Sequence, residues 1–136
     1  MTSDISTLAN WIRTSDSTVF FGGAGVSTES GIPDFRGANG FYFQERTIPL
    51  EQVLSIDFFS VHPEAYWEWF REMHKPVDPN GAHRALATLE SSELLECVIT
   101  QNIDGLHQRA GSRTVWELHG NWEHLLCTAC GAGYPL

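Results

Sequence analysis

The segment Gly22-Gly23-Ala24-Gly25-Val26-Ser27-Thr28-Glu29-Ser30-Gly31-Ile32-Pro33-Asp34-Phe35-Arg36-Gly37 gathers residue types suited to a phosphate-bearing ligand. It follows an apolar run, Thr18-Val19-Phe20-Phe21, that reads as a short buried strand. Glycines carry no Cβ, so a ligand can approach the backbone, and free N–H groups can hold phosphate oxygens. Arg36 adds a permanently charged fork of donors that suits a pyrophosphate. Together these are the parts of a dinucleotide site. The usual fingerprint is met only in part, because Thr28 stands where G-x-G-x-x-G has its third glycine. Two glycines alone could equally mark a strand-to-helix turn that holds nothing. The weight lies on Gly31-Ile32-Pro33-Asp34-Phe35-Arg36, where a stiff proline precedes an acidic, an aromatic and a cationic residue with no packing purpose in view.

Two further clusters follow apolar runs. Gln101-Asn102-Ile103-Asp104-Gly105-Leu106-His107 comes after Cys97-Val98-Ile99-Thr100. Asn102 can donate and accept, Asp104 can accept from an amide, and Gly105 permits a tight turn. Asp104 also reads as the cap of a short helix ending near Gly111. Glu117-Leu118-His119-Gly120-Asn121 closes a run that begins at Val115. His119 carries the side chain whose ordinary pKa suits proton transfer near neutrality.

Positioning these residues takes alternating strands and helices. Ile5, Leu8, Ala9 and Ile12 recur at helical spacing, with Ser3 or Asp4 as the cap. Residues 37–60 read as a long, partly helical insertion. His62-Pro63 opens a helix whose Tyr66, Trp69, Phe70 and Met73 form a stripe best read as packing. Asn80 caps another helix, whose apolar face is Ala82, Ala85, Leu86 and Leu89. Strands separated by helices predict an α/β fold, a parallel sheet with helices on both faces. In such sheets ligands lie beyond the carboxyl ends of strands, so all three clusters should face one crevice.

The 136 residues suffice for one domain. A formal net charge of −9 argues against a nucleic-acid partner. No long apolar run or basic, apolar leader is present, so a cytoplasmic protein with no membrane partner is expected. The chain has three cysteines, and Cys127-x-x-Cys130 in such a setting points to metal rather than a disulfide; Cys97 should be buried in its strand.

The ordered set Gly23-Ala24-Gly25-Val26-Ser27, Gly31 to Arg36, Pro79-Asn80-Gly81-Ala82-His83 with Leu86, Thr100-Gln101-Asn102-Ile103-Asp104, Leu118-His119-Gly120 and Cys127-Thr128-Ala129-Cys130 resembles the sirtuins, NAD-dependent protein-lysine deacylases, in their bacterial form. The resemblance covers essentially the whole chain. It implies a Rossmann-like domain over residues 1–136, comprising the first half of a catalytic core, with a helical insertion at about 38–80 and the start of a zinc module at about 121–136. Gly23, Ala24 and Thr28 would line the cofactor loop, Arg36 would approach the phosphates, and Phe35 would shield the reactive sugar. Gln101 would contact the ribose, and Ile103 and Asp104 would hold the nicotinamide carboxamide. Asn102 would orient the ribose or a water, and His119 would be the general base. The implied reaction moves the acetyl group of a protein acetyl-lysine to ADP-ribose and releases nicotinamide. Residues 67–73, Trp-Glu-Trp-Phe-Arg-Glu-Met, lack the Tyr-x-x-Arg pair of members that take acidic acyl groups, so acetyl is expected.

The family holds zinc with two cysteine pairs, and only Cys127 and Cys130 occur here. Zinc binding by this chain alone should therefore be weak or absent, with His124 a poor third ligand. The sequence looks like part of a longer protein, whose first strand would lie at an open sheet edge. A deacetylase is the leading reading. A catalytically inactive NAD- or partner-binding remnant comes second, and a metal-dependent interaction module last.

Overall fold

The computed structural model describes residues 2–38, 40–43, 45 and 47–136. Helix α1 (Thr2–Thr14) leads into strand β1 (Val19–Gly22), and a 3₁₀ helix (Ala24–Ser30) follows at once. A second 3₁₀ turn (Phe41–Phe43) and helices α2 (Leu50–Val53), α3 (Ile56–Val61) and α4 (Pro63–Met73) form the insertion. Helix α5 (Gly81–Ser91), strand β2 (Cys97–Thr100), helix α6 (Leu106–Arg109) and strand β3 (Val115–Glu117) complete the βα units. Strands β4 (His124–Leu126) and β5 (Gly133–Pro135) pair as a separate antiparallel hairpin.

The first three strands form a parallel sheet in the order β1-β2-β3, which puts β1 at an edge as expected. Val98 and Thr100 of β2 are buried on one face, together with Leu106 of α6 and His83 of α5. The register places Val19, Phe21, Ile99 and Trp116 on the opposite face. There Val19, Phe21 and Trp116 stay exposed. Helical cover on both faces, expected from the βα alternation, is thus met on one face only among the described residues. The alternation fixes parallel pairing but says nothing about which layers are filled. Helix α1 tells the same story: the periodicity is right, yet Ile5, Leu8 and Trp11 are exposed. Its first residue is Thr2, so Asp4 lies in the first turn rather than at the cap. Cys97 is half-buried rather than buried.

Helix α5 corrects a second expectation. Ala82 and Ala85 are exposed, and the inward positions belong to His83 and Glu90. Apolar periodicity missed them because both polar side chains are buried by satisfying backbone groups. Glu90 accepts from the backbone N–H groups of Arg113 and Thr114 at 2.8 and 2.7 Å, tying α5 to the start of β3. Burial would raise its carboxyl pKa, but those donors outweigh burial and hold it below the usual range. Asn80 caps α5 as expected: its Oδ1 accepts from Ala82 N–H at 2.9 Å, and its own N–H donates to His83 Nδ1 at 3.3 Å. Its Nδ2 also donates to the Val26 carbonyl at 2.7 Å, pinning the glycine segment to α5.

In the insertion, Phe41, Leu50 and Val53 form a small core, with Tyr66, Trp69 and Met73 packed against it. The aromatic stripe of α4 therefore packs, as read.

Asn80→Ala removes a cap and the side-chain donor to the Val26 carbonyl. Urea unfolding should show a loss of about 2 kcal/mol; an unchanged midpoint would refute the double role of Asn80.

Candidate functional site

The strand register brings the three clusters together. Gly22 pairs with Thr100, and Thr100 with Glu117. The next residues in each strand continue the ladder: Gln101 N–H donates to the Gly22 carbonyl at 3.0 Å, and Leu118 N–H to the Thr100 carbonyl at 2.9 Å. Segments starting at 23, 101 and 118 thus leave the sheet side by side at its carboxyl edge.

Ser27 joins the first two segments. It is only 1% exposed. Its hydroxyl donates to Asp104 Oδ2 at 2.6 Å and accepts from Asn102 Nδ2 at 3.0 Å. Asp104 Oδ1 accepts from Leu106 N–H at 3.0 Å. The cap of α6 is Gly105 rather than the expected Asp104; Asp104, one residue earlier, still holds the first helical N–H with one oxygen while the other faces Ser27. Gly105 sits at φ +66°, the left-handed region that favours glycine, and a Cβ there would come within 2.9 Å of the Glu123 carboxylate. The resemblance assigns Ser27 no role. Thr28, Glu29 and Ser30 beside it are equally polar, so its part becomes legible only once residues 102 and 104 are placed across from it.

A cavity of about 370 Å³ opens at this edge. Ala24 and Phe35 line it from the first loop, Gln101, Asn102, Ile103 and Asp104 from the second, and His119 from the third. Tyr66, Trp69 and Met73 of α4 close the far wall, so the packing stripe also serves as lining. Burial raises the Tyr66 pKa, which marks this wall as poorly solvated. The buried Trp69 indole nitrogen has no protein partner. Gly23, Thr28 and Arg36 lie outside the lining. Gly23 precedes the 3₁₀ helix, with Gln101 3.9 Å from where its Cβ would sit. Thr28 is exposed, and its hydroxyl donates to the Gly25 carbonyl at 2.9 Å. Arg36 is exposed, its guanidinium 5.5 Å from the Tyr42 ring centre.

The Sir2 family model matches residues 23–136, most of the chain. The chain belongs to the Sir2 family. It is 52% identical over 133 residues to an NAD-dependent protein deacetylase of Cutibacterium acnes, covering 95% of this chain and 54% of that protein. A structure solved in work on the mechanism and regulation of Sir2 enzymes superposes with a TM-score of 0.89 at 47% identity, over 99% of this chain and 53% of the other. A Sir2 variant with a deacetylated p53 peptide and 3′-O-acetyl ADP-ribose gives 0.88 at 46% identity, over 96% and 53%. The chain spans about half the length of the curated relatives it matches.

Behind the Sir2 cavity lies a buried imidazole pair. His83 and His107 are 0% and 1% exposed, with ring centres 4.7 Å apart. The Asn80 N–H on His83 Nδ1 places the His83 proton on Nε2, which has no protein partner, and neither does either nitrogen of His107. Burial, and then the neighbouring His83, push the His107 pKa down to about 4, against a smaller upward pull from Asp104. Burial likewise lowers that of His83. Both rings are neutral at physiological pH.

The Sir2 hairpin carries the two cysteines. Cys127 N–H donates to the Ala132 carbonyl at 2.9 Å, and Gly131 N–H to the Cys127 carbonyl at 2.8 Å. Backbone N–H groups of Cys130 and Ala129 lower the Cys127 thiol pKa, as a thiolate ligand requires. Among the described residues no three His, Cys, Asp or Glu side chains gather to hold a metal, so these donors do not make a closed zinc site by themselves.

The buried pair makes stability depend on pH with a definite sign. The unfolded chain takes up a proton near the ordinary imidazole value of 6.5, whereas the native His107 refuses it down to about 4. Stability should therefore be full above pH 6.5 and fall by roughly 3 kcal/mol as pH drops to 4. Urea unfolding of His107→Phe beside the parent should show a flatter acid limb, and equal slopes would refute the assignment. Ser27→Ala leaves Asp104 Oδ2 and the Asn102 amide without their shared partner. It should cost about 1–3 kcal/mol in the same measurement, with a stability equal to the parent counting against the bridge.

Proposed function

We propose that this protein is an NAD-dependent protein deacetylase that acts on acetylated lysine side chains of proteins. The observation that carries the reading is the meeting of Asn102, Asp104 and His119, from two strand ends, with the glycine segment in one cavity. The names of its relatives and the product-bound Sir2 neighbour support it. NAD, when bound, supplies a ribose carbon that exchanges nicotinamide for the acyl oxygen.

The chain's own residues have distinct parts in this reading. Asp104, its two oxygens fixed by Ser27 and the Leu106 N–H, is held in one orientation at the cavity wall. Fixed acceptors of this kind discriminate an amide-bearing ligand without reorganising. Asn102, anchored by its backbone N–H to Thr100 Oγ1 at 3.0 Å and by its side chain to Ser27, presents its remaining polar capacity to the ribose. Phe35 and Ile103 contribute apolar lining that keeps water from the reacting sugar. His119, exposed at the mouth, takes a proton from a sugar hydroxyl. Gly23, Thr28 and Arg36 belong to the phosphate side in this reading, outside the cavity itself. Cys127 and Cys130 supply two of the four ligands a structural zinc needs and take no part in the chemistry. A cytoplasmic setting, which keeps these thiols reduced, fits the reading.

Incubation with NAD and an acetyl-lysine peptide should release nicotinamide and free lysine. His119→Ala, at an exposed position, should fold normally and lose at least about a hundredfold in rate. Full turnover by the folded variant would refute the base assignment. NAD binding without nicotinamide release by the parent would favour an NAD- or partner-binding unit instead.

A further inference from the structure

The β4–β5 hairpin presents two thiols together at its tip. Gly131 sits at φ +73°, and its N–H returns to the Cys127 carbonyl, so residues 127–131 close a tight turn. Within that turn the sulfurs are neighbours. The backbone N–H groups of Ala129 and Cys130 donate to the Cys127 sulfur, and the Cys130 thiol bonds to it as well. Cys130 is exposed and Cys127 half-buried, so solvent reaches the pair.

Two thiolates do not satisfy zinc, whose structural sites close with four ligands in a tetrahedron. Among the described residues no third His, Cys, Asp or Glu gathers with the pair, and Cys97 lies in β2 of the other sheet. The ligand set implied by the family resemblance, two pairs within one fold, is not met by these residues.

The surface around the thiols suits a second copy of the chain. Residues 125–136, Leu-Leu-Cys-Thr-Ala-Cys-Gly-Ala-Gly-Tyr-Pro-Leu, include no Asp, Glu, Lys or Arg, in a chain of net charge −9. Two acidic molecules can meet here without setting carboxylates of this segment against each other. Leu126, immediately before Cys127, is 73% exposed, and contact with a partner would take it out of water. The charges such a contact gathers are the thiolates themselves, and a divalent cation between them offsets their repulsion.

We propose that two copies of this chain share one zinc ion through Cys127 and Cys130 of each, forming a four-thiolate site across a symmetric interface at the hairpin tips. Each copy contributes the same two sulfurs and the same Leu126, as an isologous contact requires. Each thiol releases its proton to solvent as its sulfur binds the metal, and no electron is transferred. Neither cysteine lines the nucleotide-side cavity, so the proposal stands or falls apart from the deacetylase reading.

The test is titration of the reduced, metal-free protein with Zn(II) and with Co(II), followed by sedimentation velocity and by the visible spectrum of the cobalt form. Uptake should reach its break at about one metal for every two chains. The sedimenting mass should double over the same range, and a chelator should reverse the change. The cobalt form should show the intense bands of a tetrahedral site with four sulfurs. Cys130→Ser, at an exposed position, should abolish doubling and bands, whereas Cys97→Ala should leave both as in the parent. Leu126→Glu keeps every thiol and places like charges across the contact; it should raise the metal concentration needed for doubling at least about tenfold. One metal per chain with no change in mass, no uptake at all, or a dimer that survives chelation or Cys130→Ser would each overturn the proposal.

Discussion

The register of three parallel strands is the constraint on which the site depends. Because Gly22, Thr100 and Glu117 stand in line, the chain leaves the sheet at one edge three times. A shift of one residue in β2 would turn every side chain in that strand to the other face and move Asn102 and Asp104 away from Ser27. The backbone ladder continues past the strand ends at Gln101 and Leu118, so the loops start from fixed points. Their polar side chains then need only short, local hydrogen bonds to reach their working positions.

Those local bonds form a chain across the fold. Asn80 links α5 to the Val26 carbonyl, Val26 precedes Ser27, and Ser27 links Asn102 with Asp104. Each net contribution is modest, about 1 kcal/mol, but every group in the series is buried or half-buried and losing one partner strands another. The site is held by elements distant in sequence, and the small apolar core of Phe41, Leu50 and Val53 in the insertion backs its far wall through Tyr66, Trp69 and Met73.

Much of this was legible in the residues. The apolar runs gave β1, β2 and β3 to within a residue, the alternation with helices gave the parallel sheet, and Asn80 and Pro63 marked helix starts. The meeting of residues 24, 101–104 and 119 followed from the rule that ligands lie beyond strand ends. What could not be read was burial. His83 and Glu90 are polar yet inward, because hydrogen bonds to Asn80, Arg113 and Thr114 satisfy one or both of their ends; Ile5 and Phe21 are apolar yet exposed, because nothing described covers them. Ser27 stands in a run of small and polar residues, and only its long-range partners Asn102 and Asp104 single it out. Periodicity reports preference for a face, whereas burial depends on what arrives from elsewhere in the chain.

In the proposed function, three separate strand ends build one nicotinamide-nucleotide site. Titration of NAD into isotope-labelled protein, followed by amide NMR, tests it most directly. Resonances of Ala24, Asn102, Asp104 and His119 should move together along a single saturating curve. Shifts confined to one of the three segments, or saturation at different NAD concentrations for each, would contradict it.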